Sequence, residues 1–292
     1  TVSAGGNSFF IVPDGTKMHT DFFLPKERAN GATDGDKVIF KLRDWPAKAK
    51  NPYAAIVDIL GRSGENTAEM HAIVAEFGFD TKFDDLVEHA ADAFPKTISA
   101  EEIAKREDYR KITTFTVDPA DAKDFDDALS FQTLPNGNVE IGVHIADVSH
   151  FVTPGDTIDD EAVNRATSVY LVDRTIPMLP ERLSNELCSL RPHEESLTFS
   201  AIFELDAQGT VKKYRFAKTV IYSDHRFSYE DAQEVIENKA GKYAKELETM
   251  NDIALNLRNA RYENGAINFE TTEFRFVLDE QGTPTAVIPK MR

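Results

Sequence analysis

The run Thr114–Leu129, TFTVDPADAKDFDDAL, constrains the fold of this chain more than any other stretch. Thr113 to Val117 alternates β-branched and aromatic residues, which reads as a strand. Pro119 cannot donate to a sheet ladder and turn formers follow it, so the strand is expected to stop there. An apolar run resumes at Ala128-Leu129-Ser130-Phe131. Asp118, Asp124, Asp126 and Asp127 are therefore expected on a tight loop, held at both ends by buried strands.

Four carboxylates so close together repel one another, which raises their pKa values unless a cation neutralises them. All-oxygen clusters suit hard cations, Mg²⁺ or Mn²⁺ first and Ca²⁺ second. The bland alternative is a solvated acidic loop, which a single acidic pair would deserve. An EF-hand loop fails on spacing: counted from Asp124, Ala128 takes the fifth position and Leu129 stands where glycine is needed.

The chain has 292 residues, enough for two domains and a substantial core. No apolar run approaches the roughly eighteen residues of a membrane span, so no membrane partner is expected. The single cysteine, Cys188, has no partner for an internal disulfide, lacks a visible histidine–acid pairing, and reads as a core thiol in a reducing cytoplasm. A formal net charge of -17 speaks against nucleic acid at face value. The charge is uneven, however: residues 1–61 carry eight Lys/Arg against seven Asp/Glu, and residues 62–110 carry six against twelve. A local groove therefore remains open to RNA.

Residues 1–61 read as short strands (Ser8–Val12, Asp21–Leu24, Lys37–Leu42, Ala54–Leu60) separated by turns, a spacing that suits a small OB or cold-shock barrel. Its first strand looks short, as though the barrel began before Thr1. Phe9, Phe10, Phe22 and Phe23 offer a base-stacking platform, although alternation lets only half of them face outward. Residues 62–110 read as an acidic helical connector with solvated charged faces. It has helices over Glu65–Phe77 and from Phe83 and Ser99, with a capping box between Ser99 and Glu102. Asn136-Gly137 marks a hairpin. His144, Asp147 and His150 are read as packing and support, not ligands, because residues three apart on a strand face opposite ways. A helix is expected over Gly155–Leu171. Paired strands follow at Leu197–Leu205 and Val211–Tyr222, then helices from Ser228 and Tyr243, and strands at Ala266–Phe269 and Phe274–Leu278.

The strings DPADAKDFDDAL, GVHIADVSHFV, ATSVYL and IPMLPERLSNELCSL, taken in that order, resemble the catalytic domain of the ribonuclease II / ribonuclease R family. FFIVPDG, DFFLPKE and DGDKV resemble the second cold-shock domain of its ribonuclease R branch. The resemblance covers the whole chain. It implies an α+β fold: an OB-type cold-shock barrel over 1–61, the connector over 62–110, and the N-terminal part of the RNB catalytic domain over 111–292, truncated on its C-terminal side.

The activity implied is processive 3′-to-5′ hydrolysis of single-stranded RNA to nucleoside 5′-monophosphates by a cytoplasmic enzyme, monomeric at full length, using Mg²⁺ or Mn²⁺. Two divalent ions about 4 Å apart can activate water and stabilise both oxygens of an in-line phosphate displacement. By family position Asp118, Asp124 and Asp127 are the metal ligands. Asp126 is the carboxylate most critical to catalysis, as ligand or as the group orienting the water. Tyr170 matches the aromatic that stacks on the last nucleotides, its alternative being an ordinary core tyrosine. Phe9 and Phe22 are the barrel residues expected on RNA. The family's arginine-containing motif and its further RNA-binding module have no counterpart before Arg292, so this chain alone is expected to be a weak nuclease. Apolar surface is expected uncovered near Val139–Ile145. The rival class is a non-catalytic RNA-binding fragment.

Overall fold

The computed structural model describes residues 1–5, 8–15, 18–267, 272–280 and 282–290. The chain forms two compact units, one of Thr1–Phe83, Val169–Ile176 and Thr272–Arg292, the other of Asp84–Ser168 and Pro177–Thr271.

The first unit opens with β1 (Val2–Gly5), β2 (Ser8–Ile11), β3 (Phe22–Leu24), β4 (Asp36–Asp44) and β5 (Tyr53–Arg62), followed by α1 (Asn66–Glu76). The five strands form one sheet in the order β1-β2-β3-β5-β4, and β1 lies near β4 as the sheet curls. β1 was not expected: Ser3, Ala4 and Gly5 carry no strand signal of their own and gain order by pairing with Ser8–Phe10. The core gathers Val2, Ile11, Phe22, Leu24, Ala54 and Ile56. α1 packs on β5 and β4.

The second unit begins with α2 (Asp85–Asp92), α3 (Ala100–Ala104) and β6 (Glu107–Asp108). There follow β7 (Thr113–Asp118), β8 (Asp127–Thr133), β9 (Val139–Ala146) and α4 (Thr157–Arg165). The short hairpin of β10 (Val169–Tyr170) and β11 (Thr175–Ile176) comes next in the chain and belongs to the first unit. The second unit resumes through a π-helix at Arg182–Leu187 into β12 (Glu195–Leu205), β13 (Val211–Tyr222), β14 (His225–Ser228), α5 (Tyr229–Asn238) and α6 (Ala244–Glu263). The last strands, β15 (Glu273–Leu278) and β16 (Pro284–Lys290), pair with each other in the first unit.

Seven strands of the second unit form a mixed sheet, β14-β7-β8-β9-β12-β13-β6, with β14–β7 and β13–β6 parallel and the other pairs antiparallel. The β8–β9 turn is the one the Asn136-Gly137 signal marks: Gly137 sits at φ 84°, a left-handed conformation that favours glycine. α5 and α6 cover the β14–β7 end, where Phe115, Phe227, Ala232 and Leu247 make an apolar core. α5 starts from a complete capping box between Ser228 and Asp231. Farther along the sheet, among buried apolar residues such as Phe131, Ile202 and Val220, lies a buried polar network: His144 bonds Ser200 at 2.7 Å and Ser130 at 2.8 Å, and Ser200 bonds Thr219 at 2.7 Å. Ile145, Phe199, Phe216 and Tyr214 sit at same-side register positions on β9, β12 and β13 and are all exposed, in the region where uncovered apolar surface was expected.

Three expectations need correction. The stretch read as a solvated connector ends inside the second unit, where Arg106 and Tyr109 are 8% and 5% exposed. The Arg106 guanidinium reaches the carbonyl of Thr198, and the Tyr109 ring lies edge-on to His144. At Ser99 only half of the capping box forms: the Ser99 hydroxyl accepts from Glu102 N, while the Glu102 carboxylate is taken by Arg106 at 2.8 Å. The helix expected over Gly155–Leu171 stops at Arg165, because Ala166 turns to a left-handed φ of 63° and Val169-Tyr170 pair with Thr175-Ile176. Of the strand expected at Ala266–Phe269, Ala266 and Ile267 have no regular structure, and Asn268 and Phe269 lie outside the described residues.

Candidate active site

Asp118 is the last residue of β7 and Asp127 the first of β8, so the acidic loop spans the open end of two neighbouring strands. β14 runs parallel beside β7 and places Ser228 opposite Asp118 and Arg226 opposite Thr116. The loop is anchored by its one aromatic residue. Phe125 is 8% exposed, its N–H donates to Ser189 Oγ at 3.0 Å, and its carbonyl accepts from Leu190 N at 2.8 Å. The Ser189 hydroxyl itself donates to the Lys123 carbonyl at 2.9 Å. Asp124 and Asp126 flank this buried ring; Asp124 is half-buried, and Asp126 and Asp127 are exposed. Asp126 is tied by its carbonyl, which accepts from Ala146 N at 3.0 Å.

A second anchor comes from β14. Arg226 Nη2 donates to the carbonyls of Pro119 at 2.6 Å and Ala120 at 2.9 Å. Its guanidinium carbon lies 5.2 Å from the centroid of the Phe125 ring, within cation–π range. Hydrogen bonds from a charged donor contribute about 1.5–3 kcal/mol each, so this one side chain ties turn and plug together.

The electrostatics follow from crowding. Burial raises the Asp118 carboxyl above its ordinary range, and the charges of Asp127 and Asp124 add to it against the pull of Arg226. Asp126 is raised first by the surrounding protein and then by Asp124, Asp127 and Asp118, although more than a third of its surface meets solvent. Asp118 Oδ2 is buried without an aligned hydrogen bond among the described residues, and the Thr116 hydroxyl beside it pulls the carboxyl down. Four neighbouring carboxylates, one with a buried oxygen, are by chemistry the all-oxygen donors that a hard divalent cation prefers. Among the described residues, no three His, Cys, Asp or Glu side chains converge closely enough to hold a metal ion. The four aspartates share a loop and an electrostatic field; they do not make a closed cage.

The remaining candidates fall into place one by one. Tyr170 is 66% exposed on β10, so it is not a core tyrosine. Phe22 requires correction. It is 4% exposed and packs on Phe40 at 4.8 Å inside the barrel core, because its position on β3 shares the inward face with Leu24. Phe9 packs against the same core. The half-buried aromatics outside it are Phe10, Phe23 and Tyr53, with ring centroids 5.8 Å and 5.0 Å apart in sequence. His144 is fully buried and Asp147 pairs with Arg106. Cys188 is buried, and burial with the charges of Asp126 and Asp147 pushes its thiol up to about 12. Arg226 and Ser189 were not anticipated, since nothing local marks a residue whose partner lies about a hundred positions away. Phe125 could have been: an aromatic between aspartates in a turn must bury its ring somewhere.

A family model described as the RNB domain matches residues 106–292, and one described as a cold shock domain matches residues 10–84. The chain belongs to the RNB family. This RNB chain is 39% identical over 297 residues to ribonuclease R of Thermotoga maritima, an alignment that covers 98% of the chain and 42% of the relative. It is 37% identical over 257 residues to the exosome complex exonuclease RRP44 of Mus musculus, covering 87% of the chain and 27% of the relative. The RNB chain thus spans less than half the length of these curated relatives. Among solved structures, Mycoplasma genitalium RNase R in complex with double-stranded RNA superposes with a TM-score of 0.88 at 27% identity, covering 98% of this chain and 52% of that one. Yeast Ssd1, a pseudonuclease, shares the fold with a TM-score of 0.67 at 21% identity over 90% of this chain and 34% of its own. The RNB fold by itself therefore does not decide activity; the residues of the site do.

Proposed function

We propose that this chain carries the carboxylate half of a 3′-to-5′ exoribonuclease that degrades single-stranded RNA processively to nucleoside 5′-monophosphates. The observation that carries the reading is the anchored loop. Phe125 and Arg226 hold the loop of four aspartates at one strand end, with the Asp118 carboxyl half-sunk in the protein, inside the matched RNB region. Asp118, Asp124 and Asp127 would hold Mg²⁺, or Mn²⁺ in its place. A divalent cation there supplies charge neutralisation and Lewis acidity toward a phosphodiester. Asp126 is the catalytic carboxylate, as ligand or as the group that orients and deprotonates the attacking water. Tyr170 presents an exposed ring on which the terminal bases stack, and Phe9 lies in the barrel, residues 1–61, that we assign to RNA. Residues 111–292 are assigned to catalysis. A monomeric, cytoplasmic enzyme of the relatives' length is the proposed setting.

The test is D126N in an enzyme of that length containing this segment. Hydrolysis is expected to fall to background while single-stranded RNA affinity stays within about twofold, because backbone grip comes from basic and aromatic groups elsewhere. Unchanged turnover would sink the assignment. By itself the 292-residue chain is expected to release mononucleotides far more slowly than a full-length ribonuclease R under matched Mg²⁺. Each positioned donor at a developing phosphate charge typically contributes on the order of a hundred- to a thousandfold in rate. Equal rates would show that the matched segment is sufficient.

The second reading, a non-catalytic RNA-binding segment, is favoured by the open arrangement of the four carboxylates. Mg²⁺-dependent release of mononucleotides separates the two.

A further inference from the structure

Arg226 touches none of the four aspartate side chains through a hydrogen bond among the described contacts, yet it holds the loop that carries them. Its Nη2 donates to two consecutive carbonyls, Pro119 and Ala120, immediately after Asp118. Its guanidinium plane also lies over Phe125, the residue between Asp124 and Asp126. Two carbonyl dipoles aimed at one point beside four carboxylates add to the negative field of the loop, and a cation at that point lets the turn keep this shape. The Arg226 backbone is fixed in turn, because β14 pairs in parallel with β7 from Phe115 to Asp118. One side chain thus links the start of the loop, its buried plug and the strand that carries Asp118. Its Nε is buried without a partner, so the contacts that hold the side chain in place are those of Nη2 and the ring.

We propose that Arg226 is the positioning residue of the carboxylate site: its charged donor holds the turn from which the aspartates close on a divalent cation. This rests on the reading of the aspartates as cation ligands. Arg226 does not meet the cation or the substrate; it holds Pro119, Ala120 and Phe125, and its charge also reaches the Asp118 carboxyl. Groups that orient metal ligands typically change affinity by about 10- to 100-fold when removed.

The experiment is calorimetric titration of Mn²⁺ into this 292-residue chain and into R226M, R226Q and R226K, with circular dichroism and thermal melting of each. R226M is expected to weaken Mn²⁺ binding at least about tenfold while its spectrum and melting temperature stay close to the parent. R226Q, neutral but still polar, is expected to weaken it to a similar degree and serves should R226M fail to fold. R226K keeps a charged donor and is expected to recover binding to within about threefold, a rescue that a purely packing role would not produce. Binding by R226M or R226Q within twofold of the parent overturns the inference, as does R226K weakened as much as R226M. Failure of the parent chain itself to bind Mn²⁺ overturns the underlying reading and the inference with it.

Discussion

The Arg106 guanidinium approaches the Asp147 carboxylate to 2.8 Å, and both side chains are 1% exposed. The approach is that of an ion pair without an aligned hydrogen bond, since Arg106 Nη2 and Asp147 Oδ2 have no hydrogen-bond partner by geometry. Removing one member of such a pair leaves a buried charge, which costs about 3–5 kcal/mol. D147A is expected to lose less than that range, because Arg106 keeps Glu102 at 2.8 Å, and R106A/D147A to lose less than the two single changes together. Urea unfolding of the four proteins measures the coupling, and additive losses would mean the pair is screened.

The same carboxylate gives acid sensitivity of known sign. Burial alone would raise Asp147, but Ser149, Arg106 and Lys218 outweigh it and hold it below the ordinary value of 3.8. His144 contributes above that range. Burial pushes its imidazole down from 6.5 to about 4, so between these values the unfolded chain binds a proton that the folded chain refuses. Folding stability is therefore expected to fall as pH drops from about 6.5 to about 4, by at most about 3 kcal/mol from this group. Below pH 4 protonation of Asp147 removes more. H144Q should flatten the upper part of the profile in denaturant titrations at stepped pH, and an unchanged slope there would assign it to other groups.

Gly142 sets how close β9 can bring His144 to its serines. A Cβ at that position would lie 2.4 Å from Ser130 Oγ and 2.5 Å from His144 Nε2. G142A is expected to break the His144–Ser130 bond and cost about 1–3 kcal/mol, the usual range for overpacking a filled interior. Thermal melting decides, and a change below 0.5 kcal/mol would show that the sheet yields at this point.

Tyr170 is exposed, so Y170A is expected to leave stability within about 0.5 kcal/mol. Its loss should weaken the hold on short RNA by about 1–3 kcal/mol per stacked base, so that degradation by the full-length enzyme stalls on longer end products. Limit products of unchanged length would make Tyr170 a surface residue without a role in grip.

What could be read in advance followed how far apart the interacting residues lie. β7, β8, β9, β12 and β13 each carry their own alternation, Ser228 and Asp231 announce a cap within four residues, and all were visible in the sequence. The loop's position and its four carboxylates were equally visible. Phe22 was misplaced because the sequence shows alternation without saying which face is inward; only Leu24 and Ile11 packed beside it settle that. Arg106 looked like one more charge on a solvated helix, since its partners, Asp147 and the Thr198 carbonyl, come from elsewhere in the chain. The polar sheet interior stayed hidden for the same reason: Ser130, His144, Ser200 and Thr219 are unremarkable until four strands align them.

The parallel pairing of β14 with β7 also sets an order of events during synthesis. The residues that mount the acidic loop, Ser189, Leu190 and Arg226, emerge from the ribosome long after the aspartates do. A nascent chain that has reached only Tyr170 holds all four carboxylates and the Ala146 tie to Asp126, but neither the Ser189–Leu190 seat of Phe125 nor Arg226. Closing so long a loop comes late in folding relative to the local hairpin of β8 and β9. The shape of the turn between Asp118 and Asp127 is thus settled only once about a hundred further residues, as far as Arg226, have been translated.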